Sequence, residues 1–369
     1  MSVANTLRAV FVAMQTRQPV LFWGEPGVGK TSFIYEVAKH TKRYSVVLNA
    51  GLRDPTDFAG FPVLEQNGTR LLRLAPPGWA YDLIENGGGI LFLDEMSAAA
   101  PLVQAALLRV VYEKQAGEAK LPDDTWMIAA ANPVDTSAGT WLLSAAMANR
   151  WLHFNWELDT DIWVAGMING FKSVAKLPIL PENWQSHIQA TRSLVASFIK
   201  HKPTLLHNRP QDASGSGQAW PSPRTWDMMS TVLAAAEATG LDDSEQLILA
   251  RSAVGDGAAI EYITWRRSLD LVDPREALAN PDKVKFPKRG DQVFAMLVAV
   301  VNHAKSHMDN GMWEASWIIL GRAADGGFAD LAALPARILA ETKKPDMIVP
   351  KDVKKFLPIL AAADLLSGR

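Results

Sequence analysis

The chain contains no cysteine. Disulfides, thiolate metal centres and thiol nucleophiles are therefore excluded, and a reducing, cytoplasmic setting is expected. No stretch reaches about 18 uncharged apolar residues, so no membrane-spanning helix is expected. There is no excess of one charge: 37 basic and 39 acidic side chains leave a formal net charge of −2. Nothing in that balance calls for nucleic acid, and none is expected as a partner. The first 16 residues carry one charge, Arg8, with neither a basic start nor a long apolar core. They read as a helix leading into the first strand, not as a leader. Tyrosine is scarce at 5, whereas tryptophan is plentiful at 13. That many indoles suit a core and subunit contacts. His303 and His307 stand four apart but lack a third ligand, so a surface or packing role is expected.

What is present begins with a glycine-rich loop. Gly24-Glu25-Pro26-Gly27-Val28-Gly29-Lys30-Thr31 satisfies GxxxxGK[ST] at every fixed position. Before it runs the apolar strand-like Pro19-Val20-Leu21-Phe22-Trp23; after it a helical period begins at Ser32. Strand, tight loop and helix start make a phosphate cradle, so residues 24–32 are expected to bind a nucleoside triphosphate. Lys30 would meet the β- and γ-phosphates, and the Thr31 hydroxyl would ligate Mg²⁺.

The first 155 residues alternate strand and helix patterns. Strands are expected at 19–23, 45–49, 89–93, 125–131 and 151–154, and helices at 31–42, 76–86, 99–114 and 140–149. The central strands are largely apolar, as strands covered on both faces should be. The fold class is a P-loop α/β sheet with helices on both sides. Hairpins are expected to interrupt it at 61–74, turning at Asn67-Gly68, and at 115–124. Residues 1–157 would form this domain, 158–258 a small helical domain, and 259–369 a mostly helical C-terminal region. The Pro-, Gly- and Ser-rich segment 207–224 reads as a mobile surface loop.

Two further elements carry chemistry. Ile90-Leu91-Phe92-Leu93-Asp94-Glu95 is an apolar strand ending in two acids. It delivers them to the sheet edge where open α/β folds bind ligands. Asp94 is expected to hold Mg²⁺ and Glu95 to act as general base on the attacking water. Ala129-Ala130-Ala131-Asn132-Pro133 ends a strand in an amide able to orient water or reach the γ-phosphate.

Loop, Asp-Glu strand and strand-end asparagine, in this order, resemble the AAA+ ATPases, specifically their MoxR-like branch. The stretch Arg53-Asp54-Pro55-Thr56-Asp57-Phe58-Ala59-Gly60 before the first hairpin, the helix start Pro77-Gly78 and the helix from Ala100 fit that branch. The resemblance covers 19–155 well, the helical lid thinly and the end of the chain hardly at all. It implies that Arg150, in Ala148-Asn149-Arg150-Trp151, is an arginine finger acting on a neighbour's nucleotide. Asn149 stands where the family usually has an acid. It implies that Arg224, in Ser222-Pro223-Arg224, opens the lid's sensor helix and reaches the γ-phosphate in cis. Arg109 is an interface arginine or a salt-bridged surface residue.

The resemblance further implies ATP hydrolysis with Mg²⁺ in a homo-oligomer, a ring of six. That ring would drive chaperone-like remodelling of a protein client such as a von Willebrand factor A domain protein. A nucleic-acid motor or loader and a nucleotide-switched scaffold are the alternatives. The basic group Lys283, Lys285, Lys288 and Arg289 around Phe286 is the only local feature a motor could use, and it also reads as a solvated connector.

Overall fold

The computed structural model describes residues 3–65, 71–133, 140–157, 159–169, 177–269, 272–344 and 347–362. Two compact units emerge: residues 1–185 with 205–260, and residues 186–204 with 261–369. The stretch 158–258, expected as one helical domain, is thus divided between them.

The first unit is built on β1 (Val20–Trp23), β2 (Ser45–Asn49), β5 (Gly89–Asp94), β8 (Thr125–Ala131) and β9 (Leu152–Asn155). These form one parallel sheet in the order β2-β5-β8-β1-β9. All seven residues of β8 and all four of β1 are buried. A strand enclosed on both faces must be largely apolar, and these sequences are, Thr125 at the start of β8 being the polar exception. Helices α1 (Val3–Gln15), α2 (Lys30–Thr41), α3 (Thr56–Ala59), α4 (Gly78–Glu85) and α5 (Pro101–Glu113) flank it. Val103, Leu107, Val110 and Val111 put one face of α5 into the core with Leu91, Leu93 and Met127.

Both hairpins are present. β3 (Phe61–Glu65) pairs antiparallel with β4 (Leu71–Ala75); the expected Asn67-Gly68 turn lies outside the described residues. β6 (Gln115–Ala116) pairs with β7 (Ala119–Lys120). The helix expected at 140–149 shrinks to α6 (Ala145–Ala148), because the Ser144 hydroxyl accepts from Met147 N and starts the helix there. Past β9 come α7 (Thr160–Asn169) and, after the second unit's first helix, the helices Pro223–Ala238 and Asp243–Val254.

Segment 207–224 departs from the expected loose loop. Asp212 caps a helical turn at Ala213–Ser216, Trp220 is buried, and its Nε1 donates to Ser216 O. Ser222 and Thr225 then form a reciprocal capping box that opens the helix Pro223–Ala238.

The second unit is helical: Ile188–His201, Pro274–Ala279, Gly290–Ser306, Asn310–Ala323 and Ala329–Ala340. Trp313, Trp317 and Phe356 pack in its core, and Phe198 meets Tyr262 and Trp265 edge-on or tilted. Phe286, within the basic segment, packs partly into the same core, against Phe328. Met308 and Met312 also rest on that core.

Candidate nucleotide site

The sheet brings the loop, the two acids and the strand-end amide to one edge. β1 ends in the glycine-rich loop, and Gly24 N donates to Ala131 O at 3.2 Å, tying the loop to the end of β8. Gly29 caps α2 with φ 88°, a left-handed conformation that costs glycine nothing. At Gly24 a Cβ would stand 2.6 Å from Trp156 O, so only glycine fits. Trp156 supports the loop from beneath. Its Nε1 donates to Val28 O at 3.0 Å, and its ring lies 4.8 Å from Phe33 and 5.2 Å from Phe22.

Lys30 is almost wholly buried. Its Nζ donates to Gly24 O at 2.5 Å, Glu25 O at 3.0 Å and Asn132 Oδ1 at 3.1 Å. Burial pulls its pKa below the usual lysine value, against the opposing pull of Asp94 and Glu25. The ammonium is thus held among weak carbonyl acceptors, ready for a stronger anion. The Thr31 hydroxyl donates to Asp94 Oδ2 at 2.9 Å. Hydroxyl and carboxylate are hard oxygen donors of the kind Mg²⁺ takes, so the residues present fit that ion. Asn132 N donates to Ser97 Oγ at 3.0 Å, which fixes the turn carrying the amide.

Glu95 adopts φ 54° and ψ 41°, left-handed for a residue with a side chain. Strain of this kind persists only where surrounding structure imposes it, and it gathers at functional sites. The Glu95 Oε2 accepts from Asn49 Nδ2 at 2.6 Å. Asn49 itself is fixed, its Oδ1 accepting from Gly51 N at 3.0 Å. Asn49 was not singled out from the sequence. The signal was an amide closing the apolar strand beside the Asp94 strand, in register with Asp94.

The arginines stand together. The guanidinium carbons of Arg150 and Arg224 lie 5.0 and 5.2 Å from the centre of one ring, Tyr112. Arg224 Nη1 donates to Asn149 Oδ1 at 3.4 Å, and Arg150 Nη1 to Ala146 O at 2.5 Å. Burial, and then the charge of Arg224, lower the pKa of Arg150. Among the described residues no carboxylate pairs with either arginine, and no contact joins Arg224 to Lys30, Thr31, Asp94 or Asn132. The capped helix start seats Arg224 beside Arg150. Arg109 instead bridges Glu113 at 3.1 Å on the exposed face of α5, the surface reading.

A cavity of about 670 Å³ opens where Trp156, Asn155 and Glu157 leave β9, lined also by Leu7, Ile248 and Arg251. One of its walls is His153, fully buried with a pKa lowered to about 4 by that burial. Trp23 Nε1 donates to its Nδ1 at 2.9 Å, so the proton sits on Nε2, which donates to Ala148 O at 2.8 Å.

Residues 19–153 match the family described as ATPase family associated with various cellular activities (AAA). The nitrogen-fixation (Nif)-specific regulatory protein of Rhodobacter capsulatus is 28% identical over 138 residues, 36% of this chain and 24% of that protein. The chain thus spans about a quarter of the length of this curated relative. Among solved structures, a candidate ATPase from Cytophaga hutchinsonii aligns with a TM-score of 0.40 at 17% identity. That alignment covers 67% of this chain and 80% of the other. A full-length MCM homologue from Methanopyrus kandleri gives 0.39 at 18% identity, covering 70% and 54%. The loop, the acids and the amide assembled at one sheet edge all fall within the residues that this family model matches.

Proposed function

We propose that this chain is a MoxR-like, Mg²⁺-dependent ATPase that works as a homo-oligomeric ring, six copies by family resemblance, with each active site shared between two copies. One observation carries the reading. Among the described residues, the site around Lys30 gathers the lysine, hydroxyl, carboxylate and amide that hydrolysis calls for but no arginine, while Arg150 and Arg224 form a cationic pair without an anion. Each half supplies what the other lacks, and a second copy joins them.

Within that reading, loop N–H groups and Lys30 bind the phosphates. Thr31 and Asp94 hold Mg²⁺, which neutralises phosphate charge when bound. Asn132 orients the water, and the Glu95 carboxylate accepts its proton. Arg150 and Arg224 of the adjoining copy stabilise charge on the transferring phosphoryl group. This revises the role of Arg224 from cis to trans.

The work done is remodelling of a protein client, with a von Willebrand factor A domain protein as the family's suggestion. The β3–β4 hairpin supports a protein partner, since Phe61, Val63, Leu64, Leu71 and Leu72 are all exposed.

Mixing two inactive variants tests the shared site. Glu95→Gln copies keep the arginines but cannot hydrolyse; Arg150→Ala copies keep the base but offer no finger. Each alone is expected to be inactive and the mixture to regain turnover. A mixture as inactive as its parts sinks the shared site.

A further inference from the structure

Tyr112 was singled out by no motif. It closes the last turn of α5, opposite the face that enters the core, and is 60% exposed. An exposed ring on a polar helix face contributes little to folding. Yet two cations from distant parts of the chain converge on it: Arg150 just after α6, and Arg224 in the first turn of the helix Pro223–Ala238.

Bringing two guanidinium groups together is unfavourable, and the usual remedy is a carboxylate. None is present among the described residues. The compensation is an aromatic face, whose electron density attracts cations, and the neutral amide of Asn149. Asn149 Oδ1 accepts from Ser222 Oγ at 2.9 Å as well as from Arg224. Its Nδ2 and the Nε of Arg150 are buried without a hydrogen-bond partner. An aromatic ring and an amide gather the two charges without cancelling them. A carboxylate would gather them too, and would also occupy the donors that a phosphate must reach.

We infer that Tyr112 is a positioning residue for the reaction: its ring holds Arg150 and Arg224 side by side, as one two-pronged receptor for the phosphate of a second copy's nucleotide. This rests on the reading that Arg150 acts across copies. Tyr112 touches no substrate. It joins the core's arginine to the helical segment's arginine, so a change in the setting of the helix Pro223–Ala238 alters the cationic pair as a whole.

The experiment uses the full chain, assembled, with steady-state ATPase rates and binding of a fluorescent ATP analogue. Tyr112→Phe keeps the ring and is expected to retain the wild-type rate. Tyr112→Leu removes the π-face and is expected to lower kcat about tenfold, with KM and analogue binding unchanged. In an Arg150→Ala/Arg224→Ala background, whose residual rate is read by single turnover at high enzyme concentration, Tyr112→Leu should cost nothing further, because both groups it positions are gone. Full activity in Tyr112→Leu beside an inactive Arg150→Ala overturns the role of Tyr112 and leaves the shared site standing. An additional loss of that residual rate in the background lacking both arginines marks a merely structural effect and overturns it as well. A fully active Arg150→Ala removes the shared site itself, and this proposal with it.

Discussion

Asn49 Nδ2 donates to Glu95 Oε2 at 2.6 Å, so an amide at the end of β2 holds the carboxylate at the end of β5. Parallel pairing places Asn49 opposite Asp94, and Glu95 follows in a left-handed turn. That hydrogen bond ties up the carboxylate and has to be given up before Glu95 can turn to an attacking water. Asn49→Ala is therefore expected to raise the ATPase rate, by up to about tenfold, the worth of a hydrogen bond to a charged group. A fall in kcat would mean that Asn49 instead aims Glu95 at its water.

Under the proposed mechanism, Glu95→Gln removes the base and leaves Lys30, Thr31 and Asp94 in place. Nucleotide binding should persist while turnover drops by about 10² to 10⁴. Titration with a fluorescent ATP analogue beside a phosphate-release assay separates the two effects. Loss of binding would assign Glu95 a structural role.

Trp156 braces the loop by its bond to Val28 O. Phenylalanine would keep a ring in tilted and edge-on contact with Phe33 and Phe22 and delete that bond. Trp156→Phe should weaken nucleotide binding about fivefold, the cost of one neutral hydrogen bond. Calorimetric titration measures it, and an unchanged Kd would show that the loop supports itself.

His153 ties stability to pH. Its folded pKa of about 4 lies below the ordinary 6.5, so between those values the unfolded chain binds the extra proton. Its contribution is full above about pH 6.5 and is lost as pH falls toward 4. The whole span is worth about 3 kcal/mol. His153→Gln should flatten this limb of a plot of Tm against pH relative to the wild type. An identical slope in both would show that other groups govern it.

The α/β sheet was legible because buried parallel strands must be apolar and the phosphate loop tolerates little variation. Lys30, Thr31, Asp94, Glu95 and Asn132 stood out for the same reason. Asn49 and Tyr112 did not, since their roles arise from pairing β2 with β5 and from bringing α5 to a helix over a hundred residues away. Segment 207–224 misled through its glycine, serine and proline, whose loop signal hid the pinning of Trp220 and the cap at Asp212. At Arg224 a short motif carries no information about which arginine lies beside it.

The stacked pair Trp23 and His153, with ring planes 10° apart, links the strand entering the glycine-rich loop to Ala148, two residues before Arg150. Under the shared-site reading, this stack is a physical route from a copy's own loop toward the cation it offers next door. Copies would fire in relay instead of independently. Total turnover would then fall more steeply than in proportion as inert copies are blended into the assembly.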